Sequence, residues 1–155
     1  MACDVGNAYL NAPCREKIWF IGGSETGDDK GKVLVVRRAL YGLKSSGASW
    51  RSLLSETIRD LGYEPTQADH DAWRRPATRP DDSPYYELLL VYVDDILCVS
   101  LEPMHTIQAI HECYPMKEGS IGPPKTYLGA QIYKHSFPDG RWAWGMTSTK
   151  YCKNA

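Results

Sequence analysis

The chain has 155 residues, enough for one ordinary domain with a single hydrophobic core. Hydrophobic residues make up 43% of it and charged residues 24%, which excludes a disordered or fibrous protein. Eighteen Lys and Arg residues against 19 Asp and Glu give a net charge of −1, so no overall basic field attracts nucleic acid or an anionic membrane. The five dispersed cysteines lack a C-x-x-C pair, and this favours a reducing, intracellular compartment over a disulfide framework or zinc site.

The first part of the chain predicts three short extended segments, at residues 3–10, 18–20 and 33–37. A loop rich in Gly, Ser, Thr and Asp at 22–31 separates the second segment from the third. Apolar residues then recur at helical spacing, which predicts a helix over about residues 47–61. Ser45 or Ser46 is the expected N-cap of this helix, and Gly62 is its expected stop.

The middle of the chain predicts a hairpin with acidic residues at its tip. Residues 74–84 contain three prolines and two adjacent aspartates, so an exposed connection is expected there. The apolar run at 85–93, which is far too short to span a bilayer, and the run at 96–99 predict two strands. Asp94 and Asp95 lie between these strands.

The last part predicts a second helix and a final antiparallel pair. The helix covers about residues 104–114, with Pro103 suited to its first turn and Pro115 to its end. Strands at 126–133 and 142–147 flank a Pro-Asp-Gly turn. Helices alternating with mostly antiparallel strands predict an α+β fold with two helices packed on one face of the sheet.

Two adjacent carboxylates, Asp94 and Asp95, directly follow an apolar strand. Taken alone, this pattern favours a solvated turn over a cation site. Asp4 lies in another extended segment, and three carboxylates would meet at one sheet edge if the two strands were adjacent. Such a cluster could bind the pair of metal ions used in in-line phosphoryl transfer.

Four motifs occur in the order and rough spacing typical of the reverse transcriptases of Ty1/copia-type retrotransposons. They are DVGNAYL at 4–10, ALYGLK at 39–44, YVDD at 92–95 and YLG at 127–129. The chain therefore resembles this family over essentially its whole length. The resemblance implies a partial polymerase palm domain over residues 1–155, without the finger, thumb and ribonuclease H regions.

The family resemblance also implies roles for individual residues. The implied catalytic residues are Asp4, Asp94 and Asp95, of which Asp4 and Asp94 would bind Mg²⁺, with Mn²⁺ as the alternative. The implied nucleotide-binding residues are Val5, Tyr9 and Gly42, with Tyr9 excluding a 2′-hydroxyl. The implied primer- and template-binding residues are Lys44, Tyr92, Leu128 and Gly129.

Structural alternatives remain open for several of these residues. Tyr9 could be a core aromatic, and Gly42 could serve only a positive-φ turn. Leu128 has the period of a core-facing strand position. Lys117 and Lys125 could approach a phosphate as a general acid, although a surface lysine is more commonly only solvated. Gly47 stands where most family members have proline, and proline would stiffen that turn.

The resemblance implies an RNA-directed DNA polymerase that extends a primer on an RNA or DNA template with deoxynucleoside triphosphates. The implied location is intracellular, in a cytoplasmic virus-like particle or the nucleus, with no membrane partner. Two alternatives are a non-catalytic relic that at most binds nucleic acid weakly, and a palm-type polymerase of other template preference.

Overall fold

The chain builds one five-stranded and two smaller antiparallel sheets, and the computed structural model describes residues 1–149 and 152. In chain order the strands are β1 (Ala2–Asp4), β2 (Trp19–Ile21), β3 (Val33–Val35), β4 (Glu64–Pro65), β5 (Ala72–Thr78), β6 (Pro84–Tyr92), β7 (Asp95–Val99), β8 (Thr126–Tyr127), β9 (Ala130–Ser136) and β10 (Trp142–Thr147). The helices are α1 (Ala8–Asn11), α2 (Ser46–Asp60) and α3 (Pro103–Cys113), and a kinked 3₁₀ segment spans Ser24–Asp29. Within the described part of the chain, no helix is both long and apolar enough to cross a membrane.

The large sheet has the strand order β1-β7-β6-β5-β4, and all its pairings are antiparallel. The smaller sheets are the β2–β3 hairpin and a three-stranded sheet of order β10-β9-β8. Strand β6 is central and joined to β7 by the predicted hairpin. Strand β1, from the start of the chain, pairs with β7 and so reaches the tip of that hairpin.

Helix α2 begins and ends close to its predicted bounds. Its apolar face buries Trp50, Leu54 and Ile58, whose spacing of four residues repeats on one side of a helix. The N-cap is Ser45, whose backbone N–H and hydroxyl both donate to a Glu16 carboxylate oxygen, at 2.8 and 2.7 Å. This carboxylate satisfies a donor at the positive end of the helix.

The core lies on one face of the large sheet. Strand β7 contributes Ile96 and Cys98 to it, while β1 contributes Cys3 and the chain just after β1 contributes Val5. The buried residues of α2 and α3 belong to the same cluster, among them Trp50, Leu54, Ile58, Ile107 and Ile110. The predicted α+β fold, with two helices on one face of a mostly antiparallel sheet, is therefore confirmed.

The prediction of one extended segment over residues 3–10 is wrong. Only Ala2–Asp4 forms a strand, and Ala8–Asn11 forms a short helix. Between them Asn7 has a φ of 50°, in the left-handed region that Asn tolerates better than most residues. Asn7 is the N-cap of α1 and so ends the extended backbone, which a hydrophobic pattern does not reveal.

The prediction of an exposed connection over residues 74–84 is wrong for its first half. Residues up to Thr78 belong to β5 and pair with β6 as far as Pro84. Pro76 is tolerated because β4 pairs only with residues 73 and 74 of β5, leaving β5 an edge strand at Pro76. Proline on a free edge costs the sheet no hydrogen bond.

The predicted strand over residues 126–133 is two strands. Leu128 and Gly129, with φ of 48° and 77°, form a tight turn between β8 and β9. Leu128 is 53% exposed, so its interpretation as a core-facing strand residue is wrong. The left-handed conformation needed at both turn residues suits glycine at the second position.

Candidate active site

Asp4 and Asp95 lie directly opposite each other in the antiparallel pair of β1 and β7. Directly opposed residues present their side chains on the same face of a sheet. The neighbouring pair, Cys3 and Ile96, is buried on the helix-covered face. Because strand neighbours alternate, the two carboxylates lie on the other face, away from the helices.

Asp94 lies next to this pair in the two-residue turn between β6 and β7. Tyr92 pairs with Asp95, so Val93 and Asp94 form the turn. The Val5 N–H donates to the Asp94 carbonyl at 2.8 Å, which ties the turn to the end of β1. The structure thus brings together the three predicted catalytic residues, and Val5 serves this arrangement with its backbone while its side chain is buried in the core.

The turn is held from the helix side as well. Val93 has a φ of 56°, a left-handed conformation that costs an L-residue about 1–2 kcal/mol. Trp50 of α2 donates its indole N–H to the Val93 carbonyl at 2.6 Å. This contact joins residues far apart in sequence, and no pattern in the sequence indicates it.

The three carboxylates affect one another electrostatically. Burial raises the pKa of Asp95, and the negative charges of Asp94 and Asp4 raise it further. Lys117 opposes this increase, because its ammonium group favours the ionised carboxylate. The site therefore carries an excess of negative charge.

The segment at 115–122 covers the open edge of β1. The Lys117 N–H donates to the Asp4 carbonyl at 2.8 Å, and the Asp4 N–H donates to the Ser120 hydroxyl at 3.2 Å. Lys117 Nζ also lies 3.7 Å from an Asp4 carboxylate oxygen. Lys117 thus lies at the site. The sequence alone favours a solvated surface lysine there, because an isolated lysine carries no spacing signal.

A groove of about 410 Å³ runs along this covered edge. Asp4 and Asp95 line it together with residues 119–126. The next residue, Tyr127, is buried, and burial together with the charge of Asp95 raises its pKa to about 12. Tyr127 therefore lies close to Asp95. The Leu128-Gly129 turn, which is predicted to contact the primer, directly follows Tyr127.

The donor set suits a hard divalent cation. Within residues 1–149 and 152, no group of three or more His, Cys, Asp and Glu side chains is arranged to hold a metal ion. Mg²⁺ is commonly held by only one or two carboxylates together with substrate phosphates, so Asp4 and Asp94 are sufficient in number. Burial is the main cause of the raised pKa of Asp95, and a bound cation would relieve the repulsion by Asp94 and Asp4 that adds to it.

Tyr9 lies in α1, beside the site, and is half-buried against the core. Its ring centroid is 4.3 Å from that of Tyr41. Burial and the charges of Asp94, Tyr9 and Asp4 raise the pKa of Tyr41, which places the Tyr41 hydroxyl in the field of the acids. Tyr41 belongs to the ALYGLK motif, but no role is predicted for it from the sequence.

The other predicted nucleotide-, primer- and template-binding residues are all exposed, namely Gly42, Lys44, Tyr92, Leu128 and Gly129. Gly42 has a φ of 93°, so its turn does require a positive φ. Lys44 is exposed, and Tyr92 is 57% exposed at the end of β6. Gly47 lies in the first turn of α2, a position that accepts proline, so glycine there does not change the course of the chain.

Comparison with known proteins decides the family. Residues 1–137 match the family described as reverse transcriptase (RNA-dependent DNA polymerase). The chain belongs to this family. Among curated proteins it is 27% identical, over 88% of its length, to the "Putative transposon Ty5-1 protein" of Saccharomyces cerevisiae. It is 28% identical, over 74% of its length, to the retrovirus-related Pol polyprotein from transposon RE2 of Arabidopsis thaliana.

These relatives confirm the resemblance to Ty1/copia-type retrotransposon reverse transcriptases. The chain spans 44% of the length of the yeast relative and 8% of the Arabidopsis relative. No solved structure matches the chain.

Proposed function

We propose that the chain is the palm of an RNA-directed DNA polymerase, with residues 1–155 carrying its catalytic acids. The observation that carries the proposal is the register of β1 and β7, which sets Asp4 opposite Asp95 with Asp94 in the adjoining turn. Asp4 and Asp95 share the sheet face that the helices leave free and line an open groove, with Asp94 in the adjoining turn. Family membership supports polymerase chemistry at this place.

In this proposal Asp4 and Asp94 hold Mg²⁺, with Mn²⁺ as the alternative, and Asp95 supports them. The metal, when bound, lowers the pKa of the primer 3′-hydroxyl and neutralises charge on the leaving pyrophosphate. Asp95 lies opposite Asp4 in the β1–β7 pair, and Lys117 balances the charge of Asp4. These residues do positioning and electrostatic work, which dominates catalysis of phosphoryl transfer.

The surrounding residues supply the proposed substrate contacts. Tyr9 and Gly42 face the incoming deoxynucleoside triphosphate, with Tyr9 excluding a 2′-hydroxyl. The proposed contacts to primer and RNA or DNA template are Lys44, Tyr92, Leu128 and Gly129. We place the activity inside the cell, in a cytoplasmic virus-like particle or the nucleus, with no membrane partner.

The test is primer extension by two proteins, the 155-residue chain and the same chain joined to the flanking segments of its yeast relative. We expect the 155-residue chain to show no extension above an Asp94→Asn control, because its net charge of −1 provides few phosphate contacts. The joined protein should extend a primer on RNA and DNA templates, and Asp94→Asn should abolish this. If the joined protein extends a primer on a DNA template but not on an RNA template, the chain belongs to a polymerase of other template preference.

A joined protein that binds nucleic acid but never extends a primer would contradict the proposal and identify a non-catalytic relic. The exposed Asp71 provides a matched control, since Asp71→Asn removes a carboxylate that pairs with Arg51 on the protein surface. Extension should survive this change.

A further inference from the structure

Val93 occupies an unfavourable backbone conformation at the turn that carries Asp94. Four non-glycine residues of the described chain have a positive φ, namely Asn7, Asp82, Val93 and Leu128. Val93 is the β-branched one, and branching at Cβ makes this region especially costly. A conformation of this kind persists only where neighbouring groups hold it.

Both carbonyl groups of the turn are held, and they are held by different elements. The Val93 carbonyl accepts the indole N–H of Trp50 at 2.6 Å, from α2. The Asp94 carbonyl accepts the Val5 N–H at 2.8 Å, from the chain that follows β1. These carbonyls belong to the two peptide planes that meet at the Asp94 Cα atom, so together they fix the position of that atom.

Trp50 itself has little freedom to move. It is 1% exposed, and its ring meets the edge of Tyr114 with centroids 5.0 Å apart at an angle of 81°. The Tyr114 hydroxyl in turn lies 2.7 Å from the hydroxyl of Thr57 on α2. The indole N–H therefore points in one fixed direction, towards the turn.

We propose that Trp50 is a positioning residue for the active site, holding the Val93-Asp94 turn in its left-handed form so that Asp94 stays beside Asp4 and Asp95. The inference rests on the proposed function for the role of Asp94. Its structural part, the dependence of the turn on the Trp50 N–H, stands separately. A role in core packing alone would require the bulk of the indole and not its N–H.

The test compares Trp50→Phe, Val93→Gly and the double variant in the 155-residue chain. Phenylalanine keeps an aromatic ring but lacks the donor, and glycine adopts a positive φ without strain. Trp73→Phe is the matched control, because Trp73 is also a core indole, 2% exposed, stacked under Arg59. Mn²⁺ affinity is measured by electron paramagnetic resonance, and the backbone amide signals of Asp94 and Asp95 by NMR.

We expect Trp50→Phe to weaken Mn²⁺ binding about 5- to 30-fold, as the competent turn becomes a minor population. Val93→Gly in that background should restore most of the affinity and return both amide signals towards their original positions. Trp73→Phe should change neither the Mn²⁺ affinity nor the amide signals of Asp94 and Asp95. Equal losses in Trp50→Phe and Trp73→Phe, or no rescue by glycine, would overturn the proposal and leave Trp50 a packing residue.

Two further readouts separate this inference from the proposed function. If the wild-type chain binds no Mn²⁺, the proposed metal role fails, and the amide signals alone decide the role of Trp50. If Trp50→Phe does not fold, hydrogen exchange of the wild-type indole decides it. A protected Trp50 N–H supports the contact, and rapid exchange contradicts it.

Discussion

Arg75 and Glu87 form a largely buried ion pair at the end of the sheet remote from Asp4, Asp94 and Asp95. A Glu87 carboxylate oxygen lies 2.8 Å from Arg75 Nε and 2.6 Å from Nη2. Tyr63 and Ser100 also donate to this carboxylate, and the Arg75 guanidinium lies over the Tyr63 ring. The pair thereby links β5 and β6 to the loops that follow α2 and β7.

Glu87→Gln should lower the free energy of unfolding by about 3 kcal/mol, because it leaves the mostly buried guanidinium of Arg75 without its charge partner. Burial acts to raise the pKa of Glu87, but hydrogen bonds from Ser100 and Arg75 outweigh it and the pKa is lowered. The stabilisation is therefore present above pH 4.5 and is lost as the pH falls through the native pKa.

Urea unfolding at neutral and acidic pH measures this effect. The control is Asp71→Asn, which removes an exposed partner of Arg51 and should cost less than about 1 kcal/mol. Equal losses of unfolding free energy in Glu87→Gln and Asp71→Asn would contradict a stabilising role for the Arg75–Glu87 pair. So would a Glu87→Gln loss that persists at low pH.

Asp95→Asn should stabilise the fold at neutral pH, by up to about 1 kcal/mol because solvent screens partly exposed charges. Burial and the charges of Asp94 and Asp4 raise the pKa of Asp95, so the folded chain holds this proton more tightly than the unfolded chain. The favourable contribution of Asp95 is complete below pH 3.8 and is lost as the pH rises through the native pKa.

The gain from Asp95→Asn should accordingly shrink on acidification, as seen in thermal unfolding across pH. Asp28→Asn, at an exposed position in the 3₁₀ segment, is the control. A stabilisation by Asp95→Asn that is independent of pH would contradict the raised pKa of Asp95 as its cause.

Gly47→Ala should raise the free energy of unfolding by about 0.5–1 kcal/mol, since glycine is unfavourable in a helix relative to alanine. A Cβ atom at Gly47 meets only the Tyr9 hydroxyl, at an ordinary 3.7 Å. Gly62→Ala should have the opposite sign, because Gly62 has a φ of 84°. Denaturant titration measures the free energy of unfolding of both variants. A change of the same sign in the two would contradict the placement of Gly47 in the helix and of Gly62 at a positive φ.

Tyr9→Ala should admit ribonucleotides in a polymerase-competent protein that contains this chain. The ring of Tyr9 stacks on Tyr41, whose hydroxyl is in the field of Asp94 and Asp4. Incorporation ratios for ribo- and deoxyribonucleotides measure the effect, with Tyr86→Ala on the exposed face of β6 as control. A ratio unchanged by Tyr9→Ala would assign Tyr9 to the core.

The sequence predicts the elements whose signal is periodic. Apolar spacing locates α2 within one residue of its bounds and α3 equally well, because each helix buries one face. The β6–β7 hairpin is predicted for a similar reason, as an apolar run interrupted by acids. The errors fall at Asn7, Pro76 and Leu128, where single-residue backbone conformation or edge position decides the structure.

The candidate site is only partly predictable from the sequence. Asp4, Asp94 and Asp95 are identified by resemblance, but their adjacency depends on the pairing of β1 with β7. Lys117 and Trp50 reach the site only through space, from the segment covering β1 and from α2. Contacts of this kind have no period in the sequence, so they become visible only in the folded chain.

Mn²⁺ binding to the 155-residue chain shows whether Asp4 and Asp94 share a cation. Electron paramagnetic resonance titrations compare the wild type with Asp4→Asn and Asp94→Asn, and Asp71→Asn serves as a surface control. We expect the wild type and Asp71→Asn to bind Mn²⁺ equally well, and we expect Asp4→Asn and Asp94→Asn each to weaken binding at least about tenfold, or 1.4 kcal/mol. Equal Mn²⁺ binding by all four proteins would contradict the claim that Asp4 and Asp94 share a cation.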